Sequence, residues 1–229
     1  PIVVRASNIV IDGNGYTLQA AGMYGFYLYG RSGVTIKNVI IQGWICGIYL
    51  GWDGSSNNMI TGNNLTNNFI GAYLMWSDHN TIVGNTFQRN FNGISLTDCP
   101  YNLIYHNNLI DNVWQAYDLS LGLNHWHHPD LLEGNYWSDY LGVDDGSGAG
   151  KHAIAGDGIG DTNIPWPGTG YDYYPLMFTW ISDPVKGTQE LIETIESWNL
   201  PKGTKNCLTS KLDEAILLLN QGNVNGAIH

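Results

Sequence analysis

The sequence predicts a mainly β protein: a right-handed parallel β-helix with three short strands per coil of about 22 residues, a loop-rich cap, and a C-terminal α-helical hairpin. Three observations carry this. One pattern recurs at a fixed step, short runs within each copy alternate apolar and polar residues, and the pattern stops at the aromatic stretch "GNYWSDYLGVDD" (134–145).

The copies are "NNMITGNNLTNNFIGAYL" (57–74), "HNTIVGNTFQRNFNGISL" (79–96) and "YNLIYHNNLIDNVWQAYDL" (101–119). Asn58, Asn80 and Asn102 stand 22 apart, as do Asn63, Asn85 and Asn107, and Asn68, Asn90 and Asn112. Ile60, Ile82 and Ile104 keep the step, and "VTIKNVIIQGWICGIYL" (34–50) is a looser copy. Gly25, Gly47, Gly71 and Gly93 mark one point of each copy at steps of 22, 24 and 22. Repetition at this period means stacked units that share a core. Leucine-rich repeats have a similar period, but their Leu signature is absent, and the four-residue alternation of "GIYL", "GAYL" and "GISL" specifies strands. Coils then stack at strand spacing, roughly 4.8 Å. Asn suits the bends because it tolerates the left-handed conformation, and stacked amides can bond one another along the axis.

Alternation after each marker Gly puts Leu50, Leu74 and Leu96 inside. Tyr27, Tyr49 and Tyr73 then form an outward file, followed by Ser95 and, if Ala116 replaces the marker Gly, Asp118. Trp52 and Trp76, five residues after their glycines, are expected beside that file. Such aromatic faces with hydroxyl groups between them suit sugar rings. Stacked tyrosines that stabilise one another, or a surface covered by a partner protein, read the same residues differently.

These copies resemble the repeats of carbohydrate-binding and sugar-hydrolase (CASH) parallel β-helices. They are most similar to the NosD-type family, named after a periplasmic copper-related accessory protein. The resemblance runs over about residues 1–180, and "GNYWSDYLG", "GDGIGDT" and "DYYPL" are similar to archaeal and bacterial surface members. It implies an exported protein, extracellular or on the cell surface, and a calcium-holding loop at "DGIGD".

The domains read as coils over 1–133, a cap over 134–183, and a helical module over 184–229 that ends as if truncated. An open β-helix exposes its last coil, so Tyr136, Trp137 and Tyr140 are expected to plug it. The loop after them needs an anchor. Asp144, Asp145, Asp157 and Asp161 are the candidate calcium ligands, since calcium takes six to eight oxygens in flexible geometry; the same Asp residues without metal would serve as turn formers. His125, His127 and His128 have transition-metal chemistry, with exposed loop histidines as the plain alternative. In the last module, Leu191, Ile192, Ile195 and Trp198 fit one helix starting near Thr188. Leu208, Leu212, Ala215, Ile216 and Leu219 fit a second after a turn at "LPKGTKN", and "VNGAIH" begins a third.

Composition narrows the function. Charged residues are 13% of 229, and the net charge is −11, which excludes a phosphate-binding surface and hence nucleic acid as partner. No apolar run is long enough for a membrane span. No export signal is visible, although the chain opens in mid-pattern. Three cysteines make no disulfide framework. The sequence lacks the Gly-His-Gly motif of polygalacturonase-like helices. Asp53, Asp78 and Asp98, each soon after a marker Gly, are the best argument for a glycosidase carboxylate cluster, and turn-forming Asp explains them more simply. The expected function is therefore a non-catalytic surface or matrix protein that is calcium-stabilised and binds carbohydrate or other surface proteins, or self-assembles. A polysaccharide-active enzyme and a metal-handling accessory protein are the alternatives.

Overall fold

A computed structural model describes residues 1–51, 54–181 and 184–221. The expected start of a third helix falls outside the described residues. The chain forms two compact units, Pro1–Trp180 and Ile181–His229.

The first unit is a parallel β-solenoid of about five turns. In the regular coils each turn supplies three strands, for example Met59–Thr61, Asn64–Thr66 and Ile70–Met75. Each strand pairs in parallel with its counterpart one coil away. The predicted columns are present. Ile36, Ile60, Ile82 and Ile104 stack in register and are fully buried, as are Leu28, Leu50, Leu74 and Leu96. A third column runs Ile41, Leu65, Phe87, Leu109. No coil could bury these side chains alone; each becomes interior, at about 1.5–3 kcal/mol per large aliphatic residue, only because its neighbours continue the core.

The asparagines form three directed ladders. Asn58 Nδ2 donates to Asn80 Oδ1 at 3.1 Å, Asn80 to Asn102 at 3.1 Å, and Asn102 to Asn124 at 3.2 Å. The same oxygens accept the backbone N–H of the preceding Asn at 2.8–2.9 Å. Parallel ladders run Asn63–Asn85–Asn107–Asn135 and Asn68–Asn90–Asn112. These asparagines are not the left-handed residues of the bends. In the regular coils the residue before is: Asn57, His79 and Tyr101 along the first ladder, Gly62, Gly84 and His106 along the second, Asn67, Arg89 and Asp111 along the third. The bend thus divides two tasks. One residue turns the chain, and the next sends a buried amide along the axis.

The marker glycines are needed for space. A Cβ on Gly25, Gly47, Gly71 or Gly93 would lie 2.4–2.7 Å from the carbonyl oxygen of the matching residue in the next coil.

The second unit holds two helices, Pro184–Ser197 and Lys202–Asn220, which pack on one another. The first begins earlier than expected. Pro184 fills the opening turn, where its missing N–H costs nothing, and Thr188 Oγ1 donates back to its carbonyl. The second begins inside the expected turn, directly after Pro201, whose carbonyl accepts the Lys205 N–H.

Two substitutions test the stack. Ile82→Asp places a charge in a fully buried column and is expected to abolish folding; a soluble variant with normal melting would refute the register. Asn85→Leu strands the donors of Asn63 and the carbonyl of Ile60. It should cost about 3 kcal/mol or more in denaturant unfolding, against about 1 kcal/mol for Ile82→Val.

Candidate functional site

The interior columns and the ladders end together. Trp126 follows Ile104 at the same step of 22 and is fully buried; Trp137 pairs in register with Leu109 and is 5% exposed. Of the three aromatics expected to plug the end, Trp137 does so, while Tyr140 packs partly against the core and donates to Thr162 O at 2.5 Å. Trp126 was hidden among the histidines, yet the repeat step points to it.

Asp118 corrects the sequence reading. Gln115, not Ala116, takes the marker-Gly place, since the step remains 22 through this coil. The Gln115 carbonyl is what a Cβ on Gly93 would strike. Tyr117 therefore pairs with Ser95 on the outside, and Asp118 pairs with Leu96 and points inward, fully buried. It accepts from Ser120 N–H at 2.8 Å, from Asn124 Nδ2 at 3.1 Å to both oxygens, and from Trp126 Nε1 at 3.0 Å. Asp172, from the cap, does the same for the second ladder. Its Oδ2 accepts from Asn135 N–H and Trp137 Nε1, both at 2.8 Å, and its Oδ1 from Tyr174 N–H at 3.2 Å. Burial pushes the Asp172 carboxyl up to about 7, against the pull of those donors. The third ladder ends on Gln115 Oε1, which accepts from Asn112 at 2.8 Å.

The outward file is Tyr27, Tyr49, Tyr73, Ser95, Tyr117. Its first rings pack on each other: Tyr27–Tyr49 at 5.6 Å and 16°, Tyr49–Tyr73 at 5.5 Å and 62°, with Tyr24 against Tyr27 at 5.0 Å. Tyr49 is only 4% exposed. Trp76 is 43% exposed, in a left-handed turn. Trp52 and Asp53 lie outside the described residues. Asp78 is bonded to the Ser56 hydroxyl, which with His79 holds its carboxyl below the usual range, and Asp98 occupies a left-handed turn.

A cleft of about 650 Å³ opens between the last coil and the cap. Val113 and Trp114 come from the coil, Tyr140, Leu141, Asn163 and Trp166 from the cap, and Trp137 and Gln115 also line it. Trp114 is 58% and Trp166 65% exposed. Asp139 and Asn163 add polar groups at the same opening.

The four candidate calcium ligands lie together in the cap, engaged by backbone. Asp144 accepts the N–H of Gly156 and Gly158 at 2.7 and 2.8 Å, Asp145 that of Ser147 at 3.0 Å, Asp157 that of Ile159 at 2.9 Å. Asp161 accepts from Asp145 and Gly146 at 2.9 and 2.6 Å, and Asp157 also meets His152 Nδ1 at 2.7 Å. Among the histidines, His125 is exposed, His128 Nδ1 accepts backbone N–H groups, and His127 packs edge-on against Tyr174. Burial, with His125 and His128 nearby, lowers the pKa of His127. Among the described residues no three His, Cys, Asp or Glu side chains are grouped to hold a metal ion.

Residues 2–142 match the family model described as periplasmic copper-binding protein (NosD). The chain belongs to the NosD family. The match covers the stack and the opening of the cap, and the solenoid agrees with a NosD-type parallel β-helix. No curated protein and no solved structure matches the chain. No helix of the described residues is long and apolar enough to cross a membrane.

Asp172→Asn tests how the ladder ends. The amide would set its own N–H₂ against a donor in a fully buried place, with an expected loss of about 1–3 kcal/mol in denaturant unfolding. An unchanged midpoint would mean that Asp172 is a neutral acid there.

Proposed function

We propose that this NosD-family chain is an exported, non-catalytic β-helix protein that binds carbohydrate at the cleft between its last coil and its cap. The observation that carries this reading is the pair of widely exposed tryptophans, Trp114 and Trp166, lining one opening with Asp139 and Asn163. Flat aromatic faces take the C–H faces of sugars, and polar groups at the rim take hydroxyls; few-residue polar guidance on an apolar lining is the usual form of a small-ligand site. The tyrosine file supports it less than the sequence suggested, because Tyr49 is covered by its neighbours and the rings spend their faces on each other. The family description, with its periplasmic term, supports export.

The test is tryptophan fluorescence during titration with a panel of polysaccharides. Saturable change is expected, weakened about tenfold by Trp166→Ala, roughly the value of one well-placed aromatic contact. No response to any saccharide, or a response unchanged in both Trp166→Ala and Trp114→Ala, would refute the site.

In the same proposal calcium, held by Asp144, Asp145, Asp157 and Asp161, stabilises the cap beside its carboxylate-to-backbone bonds. After chelation, calcium and not magnesium is expected to restore the melting temperature, since a ligand that binds only the folded state raises stability by mass action. Identical melting curves in calcium and chelator would leave these Asp as turn residues.

A further inference from the structure

We propose that the cleft is one end of a longer track, and that its ligand is a linear, uncharged polysaccharide lying parallel to the stacking axis; this rests on the glycan reading above. At one corner of the stack, Met23, Ile45, Phe69, Phe91 and Val113 follow each other at steps of 22, 24, 22 and 22. All five are exposed, at 43–67%. Phe69 and Phe91 stack at 4.8 Å and 5°, the spacing of successive coils. Val113, the last of the file, is itself a wall of the cleft beside Trp114. At the other end a shallow groove of about 400 Å³ runs past Gly22, Gly43, Trp44, Ile45 and Phe69, where the Trp44 ring packs against Gly22 at a distance that leaves no space for a Cβ. Groove, file and cleft are continuous along the axis.

The chemistry of the neighbouring columns selects the occupant. Beside the file stand Tyr24, Cys46, Ile70, Asn92 and Trp114, and beyond them the tyrosine file with Ser95 and Tyr117. None of these residues is charged, and the exposed corner column on the other side, Asn67, Arg89 and Asp111, carries one charge of each sign. An apolar stripe flanked by hydroxyls and amides matches a sugar chain, which offers C–H faces and hydroxyls at every unit. Net charge disfavours the other occupants. The chain carries 20 Asp and Glu against 9 Lys and Arg, so a polyuronate or a second copy of the chain meets net repulsion.

The experiment uses the full chain with neutral glucans, mannans and galactans, their oligomers of increasing length, and carboxymethylated counterparts, in affinity electrophoresis and calorimetry. Neutral polymers are expected to bind, more tightly with each added unit beyond the few that the cleft holds. Phe69→Ser with Phe91→Ser, exposed positions whose folding is checked by melting, should weaken long chains about tenfold and leave short oligomers unchanged. Trp166→Ala should weaken both. Binding that is independent of length and of the Phe variants would overturn the track and leave the cleft standing. Preference for carboxymethylated chains would overturn the neutral class. A concentration-dependent dimer dissolved by the Phe variants would give the face to a second copy. Failure of every saccharide with folded protein would overturn the track and the cleft together.

Discussion

The direction of the asparagine ladders governs the rest of the molecule. Each ladder residue presents its backbone N–H and its Nδ2 to the following coil and its Oδ1 to the preceding one. Such a chain of bonds has two unlike ends. At the start, the looser coil offers only the backbone N–H of Val34, Val39 and Trp44 to the first oxygens, and no side-chain amide is required there. At the far end, donors are left over inside the protein, and buried donors without acceptors are costly. The stack can stop only where acceptors are supplied. Asp118, Asp172 and Gln115 supply them.

This constraint explains why the composition changes at the boundary. Three of the inward columns end on Trp126, Trp137 and Asp118, two large rings and the carboxylate that holds one of their indoles. The cap then has to bring Asp172 to the second ladder, some distance down the chain. It does so by lying on the last coil as further strand-like backbone: Pro167 O accepts the Asp118 N–H, Tyr174 O the Gly134 N–H, and Asn135 O the Leu176 N–H. Carboxylates within the cap fold its loops by the same chemistry, accepting backbone N–H groups at close range.

The stack was legible because a period of 22, broken once by a step of 24 among the marker glycines, fixes registry by counting. The same step carried one coil further reaches Asn124 and Trp126, which the flanking histidines mask in sequence. It also places Gln115 at the marker point, where the choice of Ala116 as the small residue shifted the outward file by one and exposed a buried Asp118 on paper. A period-two strand turns every such slip into an inside-out error. The left-handed corner was read one residue late, because an Asn in a ladder and an Asn in a bend look alike in sequence. The cap was not legible in the same way. Asp172 meets Asn135 across 37 residues without periodicity, and Trp166 lines the same opening as Trp114 only because the loop returns over the coil.

The ladders also decide where function can reside. Inside the coils, the amides are committed to one another and to the carbonyls of Ile36, Ile41, Ile60 and Leu65. A ligand that recruited one of them would break a chain of bonds running the length of the stack. Recognition is therefore left to what the alternation turns outward and to the seam where the repeat ends. On the outer face of the long strands, neighbours repeat at the coil spacing, so any favourable contact with a repeating ligand recurs along the axis without a new design at each step. At the seam the repeat is broken, and Trp114 and Trp166 meet there on opposite sides of one opening. In the proposed binding mode, the periodic face would fix the direction of a chain-like ligand, and the aperiodic end would fix its position along that direction.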